Sequence, residues 1–251
     1  MIVTPQSFVT RQECDKVAFQ NGFRRLQDEI EGWRLYRSTT AQGSIWIAFE
    51  SDGAWLLALD HPGVIAEIGL KPRDRPSPGL ACFSFEDLAA LYALMPRVYE
   101  LSLSLPDAPL QEFVHQTSGL PTATEAERLL AQRVGQNIFR DRLMVYWRER
   151  CPLTGISDKS LLRASHIKPW KDCESDAERL DVHNGFLLSS LWDAAFDGGL
   201  VSFNDAGEPL FSHILSETAR RLLFWDMPLP LTDKHREKLR WHRAHFSFAA
   251  P

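Results

Sequence analysis

The chain contains no uninterrupted apolar run approaching the roughly 18 to 20 residues that a membrane-spanning helix needs. Its opening, MIVTPQSFVTRQECDK, has no basic stretch leading into a long apolar one. A membrane protein and a secreted one are set aside, no membrane partner is expected, and a cytoplasmic location is the expectation. Cysteine is scarce and scattered. Cys14, Cys82, Cys151 and Cys173 form no CxxC pair, so neither a zinc ribbon nor a dense disulfide framework is signalled, and reduced thiols are expected. Internal repeats and low-complexity tracts are missing too. So is any excess of positive charge: the net charge is −5, with 10 Lys and Arg against 15 Asp and Glu in residues 1–115, and 18 against 18 in residues 116–251. The acidic first half lacks the clustered cations from which general phosphate affinity comes. A local exception is KHREKLRWHRAH, with five Lys or Arg against one Glu, which suits a solvated helix face as well as a nucleic-acid contact.

What is present is ordinary for a folded protein: 251 residues, 44% hydrophobic and 24% charged, enough for two domains with real cores. Cys14 to Trp33 carries apolar residues three or four apart, Phe19, Phe23, Leu26 and Ile30, and predicts a helix. WRLYRST, SIWIAFES and AWLLALD predict strands separated by turns, HPGVIAEIGL a further strand, FSFEDLAALYALM a short helix and VYELSLSLP a strand of alternating polarity. Together they predict an α+β domain over residues 1–115, ending in the Pro-, Ser- and Thr-rich stretch PDAPLQEFVHQTSGLPTATEAE. Residues 116–251 form the expected second domain. Thr124, followed by Glu125 and Glu127, predicts the N-cap of a long helix over 124–150, with close packing at Gly135. Beyond it the elements shorten. Over about 151–212 the expectation is a turn at CPLTG, a strand at LLRASHI, a polar loop at KPWKDCESDAERLD, a strand at NGFLLSS, a helix at SLWDAAFD ended by Gly198 and Gly199, and a hairpin over VSFN, DAG and PLFS.

Three residues in that region bear chemistry: His166 near the end of one strand, Asn184 at the start of the next, and Asp193 on the helix. Singly, each has a plainer explanation, since strand histidines are commonly structural, Asn before Gly is turn chemistry and helical Asp is commonly solvated. Their joint order carries more. RVGQNIFR, CPLTG, ASHIKPW, NGFLL and DAAFDGGL follow one another, and in this order they resemble a bacterial, restriction-like branch of the HNH nuclease family over about Gln132 to Ser212. Residues 1–115 resemble no family identified from their sequence.

The resemblance implies a ββα-metal fold around one divalent cation, Mg²⁺ or Mn²⁺. It implies a catalytic set of His166, Asn184 and Asp193: His166 as general base for the attacking water, Asn184 tying the loop to the strand so as to orient that histidine, and Asp193 as a metal ligand. An imidazole suits the first task because it titrates near neutral pH, and a carboxylate suits a hard cation. Many HNH enzymes carry Asp or His directly before the base; here Ser165 stands there, a weak ligand, which leaves water, Asp181 or His183 to complete the shell. Cys151 and Cys173 lack the two further soft ligands of zinc-bearing relatives. Arg163, Lys168, Lys171 and Arg140 are candidate phosphate contacts, and Trp170 is expected to wall the site.

The function expected is a metal-dependent endonuclease hydrolysing DNA phosphodiester bonds, restriction-like or in host defence, with residues 1–115 selecting the target. Trp33, Tyr36 and Trp46 would hold a flipped base there, unless they are core. The alternative is a nucleic-acid-binding or regulatory protein that keeps the scaffold with little or no turnover. RNA ranks behind DNA as substrate, and a homodimer would supply one site per strand.

Overall fold

In the computed structural model, residues 1–121 and 124–248 are described, and the chain divides into two compact units, Met1–Ala108 and Pro109–Pro251. The division falls before the expected boundary at 115/116, which lies inside a helix. Within the described residues, no helix is long and apolar enough to cross a membrane.

The first unit runs α1 (Phe8–Gln20), β1 (Arg25–Ile30), β2 (Trp33–Arg37), β3 (Ser44–Phe49), β4 (Trp55–Leu59), α2 (Pro62–Glu67), β5 (Ala81–Phe85) and α3 (Leu88–Ser104). Its five strands pair antiparallel in sequence order. The alternation of side chains in this register sends Tyr36, Ile45, Ile47, Leu57, Leu59 and Phe83 to the face that α1 and α3 cover. Trp33, Ala48, Leu56, Ala58 and Cys82 cluster on the other face, with Ile2 and Trp46 against them. Trp33 and Tyr36 are therefore buried core rather than a base pocket, and the Tyr36 hydroxyl donates to Asp15 and accepts from Arg34.

Three expectations for this unit need correction. The helix over Cys14–Trp33 stops at Gln20, because Gly22 takes a positive φ of 85° against the ring of Tyr99, and the chain then enters β1 to pair with β2. HPGVIAEIGL is helical from Pro62, which sits in the first turn where its missing N–H costs nothing; His61 caps it. VYELSLSLP continues α3, whose buried Leu91, Met95, Val98 and Leu101 follow helical spacing; the Leu-Ser alternation is incidental to that longer period.

All but the first residue of α4 (Ala108–Thr117), a helix found inside the stretch expected to be a linker, belongs to the second unit. Next comes α5 (Glu125–Tyr146), with the Thr124–Glu127 capping box in place; such a cap contributes about 1 kcal/mol. It ends four residues short of Arg150, where Arg148 and Glu149 turn to positive φ. The chain continues through β6 (Leu162–His166), α6 (Asp176–Leu180), β7 (Gly185–Ser189), α7 (Ser190–Asp197), β8 (Val201–Phe203), β9 (Pro209–Phe211), α8 (Glu217–Leu222) and α9 (Asp233–His245). The stretch expected as a polar loop thus contains α6, capped by Ser175. β6 and β7 form an antiparallel pair, with His166 opposite Gly185. Two strands alone are marginal in water, and this pair is held between α5 and α7. The result is a mixed α/β chain with several small sheets, its two-stranded β6–β7 element lying in the C-terminal half.

Candidate active site

Alternation along β6 decides what each of its side chains meets. Ala164 and His166 face α5, while Arg163 and Ser165 face α7. On the α5 side, Gly185 makes the necessary room: a Cβ there would lie 2.5 Å from Phe139 Cζ and 2.9 Å from the Ser165 carbonyl. Phe139 consequently stacks on the His166 ring at 3.7 Å between centroids, and Trp170 meets the same ring edge-on at 5.8 Å. The imidazole Nε2 lies 2.9 Å from the Arg179 carbonyl. A carbonyl can only accept, so Nε2 carries the proton and Nδ1 carries the lone pair. Nδ1 has no hydrogen-bond partner among the described residues, and His166 is half-buried rather than sealed in the core. Burial among the aromatic rings pulls the histidine pKa down to about 4, against a smaller upward pull from the Arg179 carbonyl. Above that pH the ring is neutral and its lone pair is available.

Asn184 is fully buried and clamps the β6–β7 connection from within. Its Oδ1 accepts from the Lys168 amide at 2.9 Å, and its Nδ2 donates to the carbonyls of Lys168 at 3.1 Å and Glu178 at 3.3 Å and to Cys173 Sγ at 3.3 Å. Its own carbonyl accepts from the Ile167 amide at 2.9 Å. The residues flanking His166 on its C-terminal side are therefore fixed by one amide side chain.

Asp193 lies in the first turn of α7, the helix packed on β6, with the Ser165 hydroxyl close enough to favour its carboxylate. Burial raises its pKa, the Ser165 hydroxyl opposes this, the charge of Asp197 one turn further on adds to it, and Arg163 offsets part. Asp193, Asp197 and Ser165 thus offer oxygen donors only, the kind a hard divalent cation takes.

A segment bearing His on one strand, Asn at the head of its partner and Asp on the helix that follows is now defined. Residues 151–204 match the family model described as HNH endonuclease. No curated protein matches the chain. The HNH match spans 54 of 251 residues, taking in β6, α6, β7 and α7 but neither α5 nor α9.

Ser165 and His166, neighbours on a strand, turn to opposite faces of the β6–β7 pair, Ser165 towards α7, the helix that carries Asp193, and His166 towards Phe139 of α5. His166 is the last residue of β6, so only the strand's end lies between the two faces. His183 is buried; its Nδ1 lies 2.6 Å from Asp181, which also accepts the His183 amide, and its ring packs against Tyr146 and His235. That carboxylate takes up one nitrogen of His183, and Asp181 itself is turned to His183. Among the described residues, no three His, Cys, Asp or Glu side chains are arranged to hold a metal, so an ion at Asp193 would draw much of its shell from water and substrate oxygens.

Of the expected phosphate contacts, Lys168 is withdrawn: its ammonium lies 3.1 Å from Glu178, which also takes Lys238 of α9 at 2.8 Å. Burial alone would raise the Glu178 pKa, but Lys238, the Glu174 amide and Lys168 outweigh it and hold it at about 2. Arg163 is exposed, and its Nη1 donates to the Ser160 and Leu162 carbonyls. Lys171 is exposed and Arg140 half-buried. The basic stretch of α9 is docked rather than free: Arg243 donates to the Phe203 carbonyl and Asp205, and Arg236 to Asp233 and the Asp205 carbonyl. All four cysteines are free and buried. Sequence reasoning overlooked Arg179 and Phe139 as parts of the His166 surroundings; for Phe139 the signal was its place three residues after Gln136 in RVGQNIFR.

Proposed function

We propose that residues 109–251 form an HNH endonuclease domain hydrolysing DNA phosphodiester bonds, and that the first unit selects the target in a restriction-like or defence setting. The observation that carries this reading is the His166 tautomer. With Nε2–H committed to a carbonyl, Nδ1 is the atom able to take a proton from water attacking a phosphorus centre. Asn184 is a positioning residue that holds the chain after the base. Asp193, with Ser165 and Asp197, would hold Mg²⁺ or Mn²⁺, which when bound neutralises charge on the phosphate oxygens and the departing 3′ oxygen. Arg163, Lys171 and Arg140 would meet the phosphate backbone.

The test is incubation of plasmid and of phage DNA bearing modified cytosines with Mg²⁺ or Mn²⁺. Nicking that disappears with EDTA and falls by about 10²- to 10⁴-fold in His166→Ala is the expected outcome. Ser165, a weak ligand standing directly before His166, favours a second reading, a nuclease scaffold that binds nucleic acid without turnover. Tight DNA binding with no nicking of either DNA under either metal would establish that reading instead.

A further inference from the structure

Arg179 sits in the last turn of α6 and touches the His166 surroundings twice. Its backbone carbonyl receives the imidazole proton at 2.9 Å. Its guanidinium spreads over the loop that follows the histidine: Nε donates to the Trp170 carbonyl at 3.1 Å, Nη2 to the Cys173 carbonyl at 2.8 Å and Nη1 to Asp176 at 2.8 Å. The guanidinium carbon also lies 5.8 Å from the centroid of the Trp170 ring, the ring that meets His166 edge-on. Trp170 is confined from the opposite direction by Gly135 of α5. A Cβ at that position would lie 2.4 Å from Trp170 Cη2 and 3.1 Å from Cζ2, and 3.3 Å from Phe113 Cε2. The indole is thus seated in a notch that only a glycine leaves open.

A guanidinium is suited to this task. Its planar fork presents several donors in fixed directions, so one side chain can hold two carbonyls and a carboxylate at once. Asn184 clamps the same loop through the Lys168 and Glu178 carbonyls, leaving those of Trp170 and Cys173 to Arg179. Were the fork lost, the Trp170 and Cys173 carbonyls would lose their side-chain donor, the loop would be left to the Asp172 amide, Asn184 and the Cys173 thiol, and both the indole wall and the proton-accepting carbonyl would shift against the imidazole.

We infer that Arg179 and Gly135 are positioning residues for His166: together they fix Trp170 and the Arg179 carbonyl so that the imidazole stays in a single orientation with its proton on Nε2. This rests on the proposed role of His166 as base, but it is tested without relying on cleavage. The full chain, labelled with ¹⁵N-histidine, is examined by long-range ¹H–¹⁵N correlation at pH 7.5, alongside thermal melting and single-turnover nicking where the wild type nicks. The wild type should give a pure Nε2–H pattern for His166. Arg179→Met, which keeps length and loses the fork, should give mixed tautomers and a fall in the maximal single-turnover rate of at least about tenfold, with the half-saturating DNA concentration within about twofold. Arg179→Lys should recover part of the single-tautomer signal. Gly135→Ala guards against a merely unfolded Arg179 variant: alanine favours the helix, so any loss must come from the rings its Cβ meets, the Trp170 indole first and Phe113 next. It should keep its melting temperature within a few degrees and still mix the tautomers. A pure Nε2–H pattern in folded Gly135→Ala, or in Arg179→Met at a lowered melting temperature, would overturn the inference and leave both residues merely structural. A wild type that never nicks would count against the proposed function while the tautomer patterns still decided this point.

Discussion

Glu50 in the first unit and His242 in the second are both polar side chains almost wholly removed from water, and they are accommodated differently. Glu50 keeps its charge: Arg73 and Arg75 close on it, and against the upward pull of burial they and the amino terminus hold its pKa at about 2. His242 gives its charge up. Burial depresses its pKa to about 4, its Nε2 donates to the Phe196 carbonyl, its Nδ1 accepts from the Ser202 hydroxyl, and the ring stacks on Phe196. His235, fully buried, is driven to about 3 by burial first and then by neighbouring charge, and His166 to about 4. Seven of the eight histidines lie in the second unit, and with them the buried rings whose pKa is depressed. The first unit fixes its buried polar groups by ion pairing, Arg34 with Asp15 and Glu29 included. The second uses such pairs too, Arg243 with Asp205 among them, and adds tautomer and stacking for its buried histidines.

The largest effect should come from removing the side chain that joins scaffold to site. Asn184→Ala deletes four hydrogen bonds at a fully buried position and leaves the Lys168 amide and two carbonyls seeking partners. We expect a loss of about 2 to 4 kcal/mol in urea unfolding followed by fluorescence, and nicking reduced with it. The comparable break in the first unit is Glu50→Gln, which strips charge from a carboxylate whose arginine partners are partly exposed. It should cost less, about 1 to 3 kcal/mol. An Asn184 variant as stable as wild type would mean that the loop does not depend on this clamp.

Acid separates the units next. A histidine whose folded pKa lies below its unfolded value binds a proton more readily when unfolded, so its contribution is whole above pH 6.5 and is lost as pH falls towards the folded value. For the buried His235 and His242 the window runs from about 6.5 down to about 3 and 4, at about 1.4 kcal/mol per pH unit for each. Glu50 has a depressed carboxylate pKa, so its contribution persists below pH 5 and fades only from about 4.5 towards 2. Hydrogen exchange at pH 5 should therefore show the amides of β7 and α9 losing protection before those of β3 and β4. Equal loss in both units would remove the distinction.

The same contrast explains how much could be read beforehand. β2, β3 and β4 announce themselves as aromatic and β-branched runs between turn residues, and α5 by Thr124 and its acidic first turn, because each signal is local. The path of α3 was hidden by LSLSL, where a chance alternation overlies a longer helical period. At the site, HIS, ASN and ASP positions were visible as motif letters, and so was the tie between Asn184 and the loop. What could not be read was the facing of Ser165 and His166 towards different helices, since that depends on which helix covers which side of the strand pair. Nor could the sharing of Glu178 by Lys168 and Lys238, 10 residues before it and 60 after, be seen in KPWK.

The smallest expected effects concern the exposed cations, and they sharpen the comparison between groups committed to the fold and groups left for a ligand. Lys171→Ala and Arg163→Ala each remove a charge from the exposed surface near the loop and strand that carry His166. If both meet phosphates, each should weaken DNA binding uniformly across sequences and lower the salt slope by about one counterion. Lys168→Met should leave that slope unchanged, because its ammonium already lies between Glu178 and Glu174, and should show itself in stability instead. Binding measured from 50 to 200 mM salt distinguishes the two kinds of lysine. A Lys168 variant whose slope falls as far as that of Lys171→Ala would mean that DNA draws the ammonium out of its ion pair, and that the loop rearranges when substrate arrives.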